Sequence, residues 1–205
     1  MERNWVIKEA GDNVVVKQLM NSLDVPHALA TLMVQRGITS FDEARSFFRP
    51  SLDNLHDPFL MKDMNIAVDR ISSAIYKNEK ILIYGDYDVD GITSTALMGH
   101  FFRRIDHPVR YFVPNREKDG YGLRMDGVDQ VAGMGGNLII TVDNGITSCE
   151  AIDYARERGI DVVVTDHHLQ EGVLPDADAV INPSRTDSEY PFKSICGVAV
   201  AFKLA

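Results

Sequence analysis

The stretch ILIYGDYDVDG at residues 81–91 is a short apolar run followed at once by three aspartates at alternate positions, Asp86, Asp88 and Asp90. A continuous apolar run bounded by glycine reads as a strand buried on both faces, as in a parallel sheet covered by helices on each side. The same plan recurs downstream. LIITVDNG puts Asp143 after a strand expected over 138–142, VVVTDHH puts Asp166, His167 and His168 after 162–165, and AVINP puts Asn182 and Pro183 after 179–181. One more strand is expected over 109–113, with helices near 92–104, 126–133 and 147–158 between the strands. The fold class is therefore α/β, a mostly parallel sheet flanked by helices. Ligands of such folds bind beyond the carboxyl ends of the strands, which is where each polar cluster begins.

The residue types in these clusters suit metal-dependent phosphodiester chemistry. In extended backbone, side chains two apart share a face at about 6.5–7 Å, so a slight turn brings the carboxylates of 86–90 onto a shared cation pair. Gly91 lets the chain turn into a helix whose first residues, including Thr93, Ser94 and Thr95, could receive phosphate oxygens. A Ca²⁺ loop of the EF-hand type would need a flanking helix where 81–84 reads as strand. Asp143 alone is equally a turn or cap residue, and its weight comes from repeating the strand-then-aspartate plan. An imidazole of His167-His168 can ligate a borderline cation while its neighbour donates to a phosphate oxygen, with Asp166 orienting a ring nitrogen. An exposed polar turn is the bland alternative for that tripeptide. His27, His56, His100 and His107 lack such context and read as helix-start, loop, helix-packing and surface residues. There is no nucleophile elbow, Walker A loop or dinucleotide glycine pattern, so the simplest attacking group is a metal-activated water.

Upstream of residue 64 the pattern is helical. Pro26 opens a helix carrying Leu29, Leu32 and Met33 that Gly37 stops; Ser40 with Glu43 forms a capping box for a helix carrying Ala44, Phe47 and Phe48, ended by Pro50. Residues 51–64 read as a loop and 66–75 as a helix. The organisation expected is a small, mostly helical module over 1–63 and an α/β domain over 64–205. That domain is incomplete at its C-terminus, because GVAVAFKLA reads as an apolar helix interrupted by the chain end.

Apolar residues are 45% and charged residues 25% of the 205, the usual balance of a folded globular chain. No stretch reaches the roughly 20 apolar residues of a membrane span, and the N-terminus lacks a secretory signal, so a cytoplasmic location is expected. Cys149 and Cys196 make no disulfide framework and read as buried thiols. The net charge of −9 argues against a generally basic nucleic-acid-binding surface. A local stripe remains, Arg103, Arg104, Arg110, Arg116, Lys118 and Arg124 with Tyr111, Phe112 and Tyr121 interleaved; it reads equally as a nucleic-acid contact or a solvated face.

Taken together, YGDYDVDG, TVDNG, TDHH, INP and CGVAVAFKLA resemble the DHH phosphoesterase superfamily, named for the tripeptide at Asp166-His167-His168. Within it they are similar to the bacterial exonucleases specific for single-stranded DNA, as are Asn4-Trp5 and EARSFFRPSLDNLHDP at 43–58. The resemblance implies 5′-to-3′ hydrolysis of single-stranded DNA to 5′-mononucleotides in recombination and repair, with two Mn²⁺ or Mg²⁺ ions and replication or repair proteins as partners. It also implies Asp88, Asp90, Asp143 and His167 as metal ligands, Asp86 as a ligand or supporting residue, and His168 beside the scissile phosphate. Small-substrate members start the first motif with His where this chain has Tyr84. Non-catalytic scaffold relatives, the alternative reading, tend to lose acidic and histidine ligands, and those that fall within this sequence are all present.

Overall fold

The structure is a computed structural model, and it describes residues 4, 6–117 and 120–205. Trp5 of the Asn4-Trp5 pair and Lys118 of the basic stripe lie outside the described residues. Two compact units divide at residues 55/56, where the sequence placed the division at 63/64. Residues 51–64 contain two short 3-10 turns, and Met61 and Met64 belong to the core of the second unit.

The first unit is built from α1 (Asn13–Leu23), α2 (His27–Val34) and α3 (Phe41–Phe48). The capping box expected for α3 is present: Ser40 accepts from the Glu43 amide, and Glu43 accepts from the Ser40 amide. Val16, Leu19, Ala30, Met33, Ile38 and Ala44 form its core, whereas Phe47 and Phe48 stay largely exposed. The sequence reading named no helix over α1, although Asp12 caps it by accepting from the Val14 amide.

The second unit runs α4 (Met64–Tyr76), β1 (Ile81–Tyr84), α5 (Val89–Arg104), β2 (Val109–Phe112), α6 (Met125–Gly133), β3 (Leu138–Val142), α7 (Cys149–Glu157), β4 (Asp161–Thr165), β5 (Ala179–Ile181) and α8 (Gly197–Leu204). Every strand pair is parallel, and the order is β2-β1-β3-β4-β5. Alternate residues feed two cores. Ile81, Ile83, Leu138, Ile140, Val142, Val163 and Ile181 pack with α4, α5 and α8, while Leu82, Tyr84, Ile139, Val162, Val164 and Val180 pack with α6 and α7. Burial on both faces explains why these strands read as unbroken apolar runs. The chain leaves β1 toward β2 on one side and returns to β3 on the other, so the switch point of the sheet lies beyond the carboxyl ends of β1 and β3.

Several single-residue expectations are corrected. His107 is buried against Phe102 with its ring nitrogen 3.2 Å from the Glu79 carbonyl oxygen, whereas His100 is exposed on α5. Neither thiol is buried: Cys149 is half-buried and Cys196 exposed. Arg103 and Arg104 end α5, and Arg110 pairs with Leu82 near the start of β2, so these three lie at the opposite end of the sheet from the switch point. The basic stripe is therefore split, because helix and strand carry its members away from each other.

Candidate metal centre

The expected site residues follow the ends of β1, β3 and β4, with Asp88 capping α5 and Asp90 in its first turn, and backbone pairing runs on beyond the strands. Gly85 donates to the Phe112 carbonyl, Asp143 to that of Thr165, and Asp166 to that of Ile181, at 2.9, 3.0 and 3.0 Å. Asp143 has φ +64, a left-handed conformation uncommon outside glycine, and turns the chain sharply after β3. Asn144 behind it donates to the carbonyls of Tyr84 and Val142 and so ties the β1 and β3 ends together.

Asp143 is 1% exposed and neither of its oxygens has a hydrogen-bond partner; Oδ1 of Asp86, 3% exposed, is likewise unpartnered. Ligand atoms of Asp86, Asp88 and Asp143 fall within 4.8 Å of one another, as do those of Asp143, His167 and His168. His167 Nε2 lies 3.1 Å from Asp143 Oδ1 and 3.6 Å from Asp90 Oδ2. Burial, followed by the charges of Asp90 and Asp88, raises the Asp143 pKa to about 8. Burial also pushes Asp86 above the ordinary carboxyl range. Buried carboxylate oxygens crowded by like charge and accepting no hydrogen bond are costly unless a cation joins them, so this donor set fits hard or borderline divalent ions.

The remaining carboxylates have protein partners. Asp88 caps α5, accepting from the Gly91 amide at 2.9 Å. Asp90 accepts from the Gly197 and Val198 amides at 2.6 and 2.7 Å, capping α8 from across the site. The sequence reading missed that contact because residues 107 positions apart carry no local signal of it. The hydroxyls of Thr93, Ser94 and Thr95, named in the sequence as possible phosphate contacts, are already engaged within α5. They donate back to the carbonyls of Val89, Asp90 and Gly91 one turn earlier.

Asp166 is fully buried and fully used. It accepts from the Ile146, His167 and His168 amides and from His168 Nδ1 at 2.7 Å. Burial alone would raise its pKa, but these donors outweigh burial and hold it below the ordinary range. The same pairing lifts that of His168. Asn182 donates to the His168 carbonyl, locking the imidazole loop instead of pointing a ligand into the site. Tyr121, known from the sequence only as part of the basic stripe, places its hydroxyl 3.0 Å from His168 Nδ1 with its ring edge-on to the imidazole. Arg116 lies over the Tyr87 ring at 5.5 Å, and a cavity of about 760 Å³ lined by Tyr121, Arg124, Thr147 and Ser148 opens on the α6 and α7 N-termini.

Fold and site together define a parallel α/β protein that gathers carboxylates and imidazoles at the sheet's switch point in a set suited to divalent cations. The chain belongs to the DHH family: the description "DHH family, N-terminal domain" matches residues 80–205. It is 42% identical over 201 residues to the single-stranded-DNA-specific exonuclease RecJ of Bacillus subtilis, covering 98% of this chain and 25% of that protein. To the Escherichia coli protein of the same name it is 41% identical over 182 residues, covering 88% of this chain and 31% of the relative. The chain thus spans about a quarter to a third of the length of these relatives. Among solved structures, RecJ in complex with Mn²⁺ from Thermus thermophilus superposes with TM-score 0.73 at 26% identity, over 93% of this chain and 26% of that one. An exonuclease RecJ bound to manganese gives TM-score 0.64 at 31% identity, over 70% of this chain and 36% of that one.

Proposed function

We propose that this chain carries the metal centre of a single-stranded-DNA exonuclease that hydrolyses phosphodiester bonds from the 5′ end to 5′-mononucleotides in DNA recombination and repair. The observation that carries the reading is the Asp143 carboxylate, buried with both oxygens unpartnered between Asp86, Asp88 and His167. The names of the RecJ relatives supply the substrate class. Asp86, Asp88, Asp143 and His167 would hold Mn²⁺ or Mg²⁺, and Asp90 joins them through an oxygen that also receives an α8 amide. Two such ions supply the positive charge that makes an attacking water acidic and offsets the charge developing on the phosphate.

The protein residues do the rest. Asp166 fixes the His168 ring through Nδ1, so Nε2 is the nitrogen left to donate a hydrogen bond to a phosphodiester oxygen. The same Asp166 pairing raises the His168 pKa and so favours the doubly protonated ring that such donation requires. Arg116, on the site side of the split basic stripe, and the cavity beside Tyr121 would receive the strand. Single-stranded DNA is the partner, with replication or repair proteins beyond it. The location is the cytoplasm; among the described residues no helix is long and apolar enough to cross a membrane.

Asp143→Ala in the whole protein tests the reading. Cleavage of 5′-phosphorylated single-stranded DNA and calorimetric Mn²⁺ binding should both be lost while cooperative unfolding persists. Retained cleavage would overturn the two-ion assignment.

A further inference from the structure

Resting on the metal reading above, we propose that the first turn of α8 sets the shape of the metal centre and that Gly197 is a positioning residue for Asp143. A Cβ at Gly197 would lie 2.2 Å from Asp143 Oδ1, 2.7 Å from its Cγ and 2.8 Å from its Cβ. Those separations are far inside van der Waals contact, so the bare Cα is the wall against which the Asp143 carboxylate rests. The facing group is a carboxylate at 1% exposure with two unpartnered oxygens, so the space that glycine leaves is space at the metal donors.

Asp90 holds this wall in place. α8 has no side-chain cap of its own, since Cys196 at the capping position makes no such bond, and the Asp90 carboxylate takes the Gly197 and Val198 amides instead. An anionic group at a helix start is favoured by the amide dipoles as well as by the hydrogen bonds themselves. Each oxygen keeps a further lone pair, and Oδ2 lies 3.6 Å from His167 Nε2. One residue thus joins the helix start to the donor set. The hydrophobic side of α8, Val200 and Ala201, is packed in the same core as Ile140 and Val142 of β3, the strand that delivers Asp143. Seating α8 and shaping the Asp143 cradle are one event, and a cation that binds the shaped cradle reduces the population in which the α8 start opens.

Two measurements on the whole protein test this. Gly197→Ala is compared with Gly133→Ala, also a helical glycine but one whose added Cβ would meet nothing within 4 Å. Calorimetric Mn²⁺ affinity should fall at least about tenfold in Gly197→Ala and stay within about twofold of wild type in Gly133→Ala, a loss typical of altered groups that orient metal ligands. Hydrogen exchange on the unmodified protein needs no variant to fold: Mn²⁺ should slow exchange at the start of α8 by at least about fivefold. Unchanged affinity in Gly197→Ala, or α8 exchange that is unchanged or faster with Mn²⁺, overturns the proposal. Absence of Mn²⁺ binding by the wild type overturns the metal reading and this proposal together, whereas equal binding by wild type and Gly197→Ala overturns this one alone.

Discussion

Replacing Asp143 with asparagine should stabilise the metal-free protein at neutral and alkaline pH while removing its response to Mn²⁺. The native carboxyl has its pKa raised from 3.8 to about 8, by burial first and then by Asp90 and Asp88. In the unfolded chain it ionises at the ordinary value. A carboxyl raised on folding gives its full stability below 3.8 and loses it as pH climbs through about 8. At about 1.36 kcal/mol per unit, the gap from 3.8 costs about 4 kcal/mol at pH 7 and about 6 kcal/mol above pH 8. Asparagine has the same shape and stays neutral, but burying its amide carries a cost of its own, about 1–3 kcal/mol. The net expectation is a gain of about 1–3 kcal/mol near pH 7, larger at pH 9 and gone or reversed by pH 5. Urea unfolding in EDTA at those three pH values reads the difference directly. With saturating Mn²⁺ the wild type should gain stability by mass action and Asp143→Asn should not. A variant less stable than wild type by a constant amount at every pH, or one that gains equally from Mn²⁺, would refute the reasoning.

Asp166→Ala should cost about 3 kcal/mol or more in urea unfolding, because three backbone amides and an imidazole lose their acceptor in a fully buried position. A loss below about 1 kcal/mol would mean water replaces the carboxylate there. Arg116→Glu should weaken single-stranded DNA binding by the whole protein and lower the salt slope by about 0.7, while Arg110→Glu, at the far end of the sheet, leaves both unchanged. Equal losses from the two reversals would show that the strand runs over both ends. Arg185→Met removes a guanidinium, 5% exposed, that joins Asp63, Asp187 and the Val180 carbonyl. Stranding the Asp63 partner should cost about 3 kcal/mol in chemical denaturation, and a neutral result would show that packing compensates for the ion pairs.

The strands and their order of appearance were legible because both faces of the sheet are buried, so each strand is an apolar run that ends abruptly at a polar residue. The aspartate and histidine clusters were legible for the same reason, since a polar residue directly after such a run must stand at the carboxyl edge. Contacts between residues distant in sequence were not legible. Nothing near Asp90 predicts that its carboxylate caps a helix beginning at Gly197, and nothing near His168 predicts the Tyr121 hydroxyl. The spatial split of the stripe from Arg103 to Arg124 was not legible, because closeness in sequence is not closeness in space: α5 and β2 put a sheet's length between its members. The thiols misled through composition alone: free cysteine is usually buried, but Cys196 precedes a helix start in an exposed loop.

The three aspartates of YGDYDVDG look equivalent in sequence and are not equivalent in the fold. Asp88 and Asp90 hold helix starts, so the α5 and α8 termini are satisfied whether or not a cation is bound. Asp86 Oδ1 and both Asp143 oxygens accept no hydrogen bond, and the imidazole beside Asp143, that of His167, is itself placed to bind a cation, so the fold leaves these two as the groups that gain most from one. Substituting Asp88 or Asp90 therefore mixes loss of a helix cap with loss of a donor, and a dead variant at either position says little about metal. Substituting Asp143 with asparagine removes the cost of burying an ionisable carboxyl from the fold and a donor from the site in a single step, which gives stability and binding opposite signs. That opposition separates a metal centre from a merely structural cluster of acids, because structural acids with satisfied partners lose stability when they are neutralised.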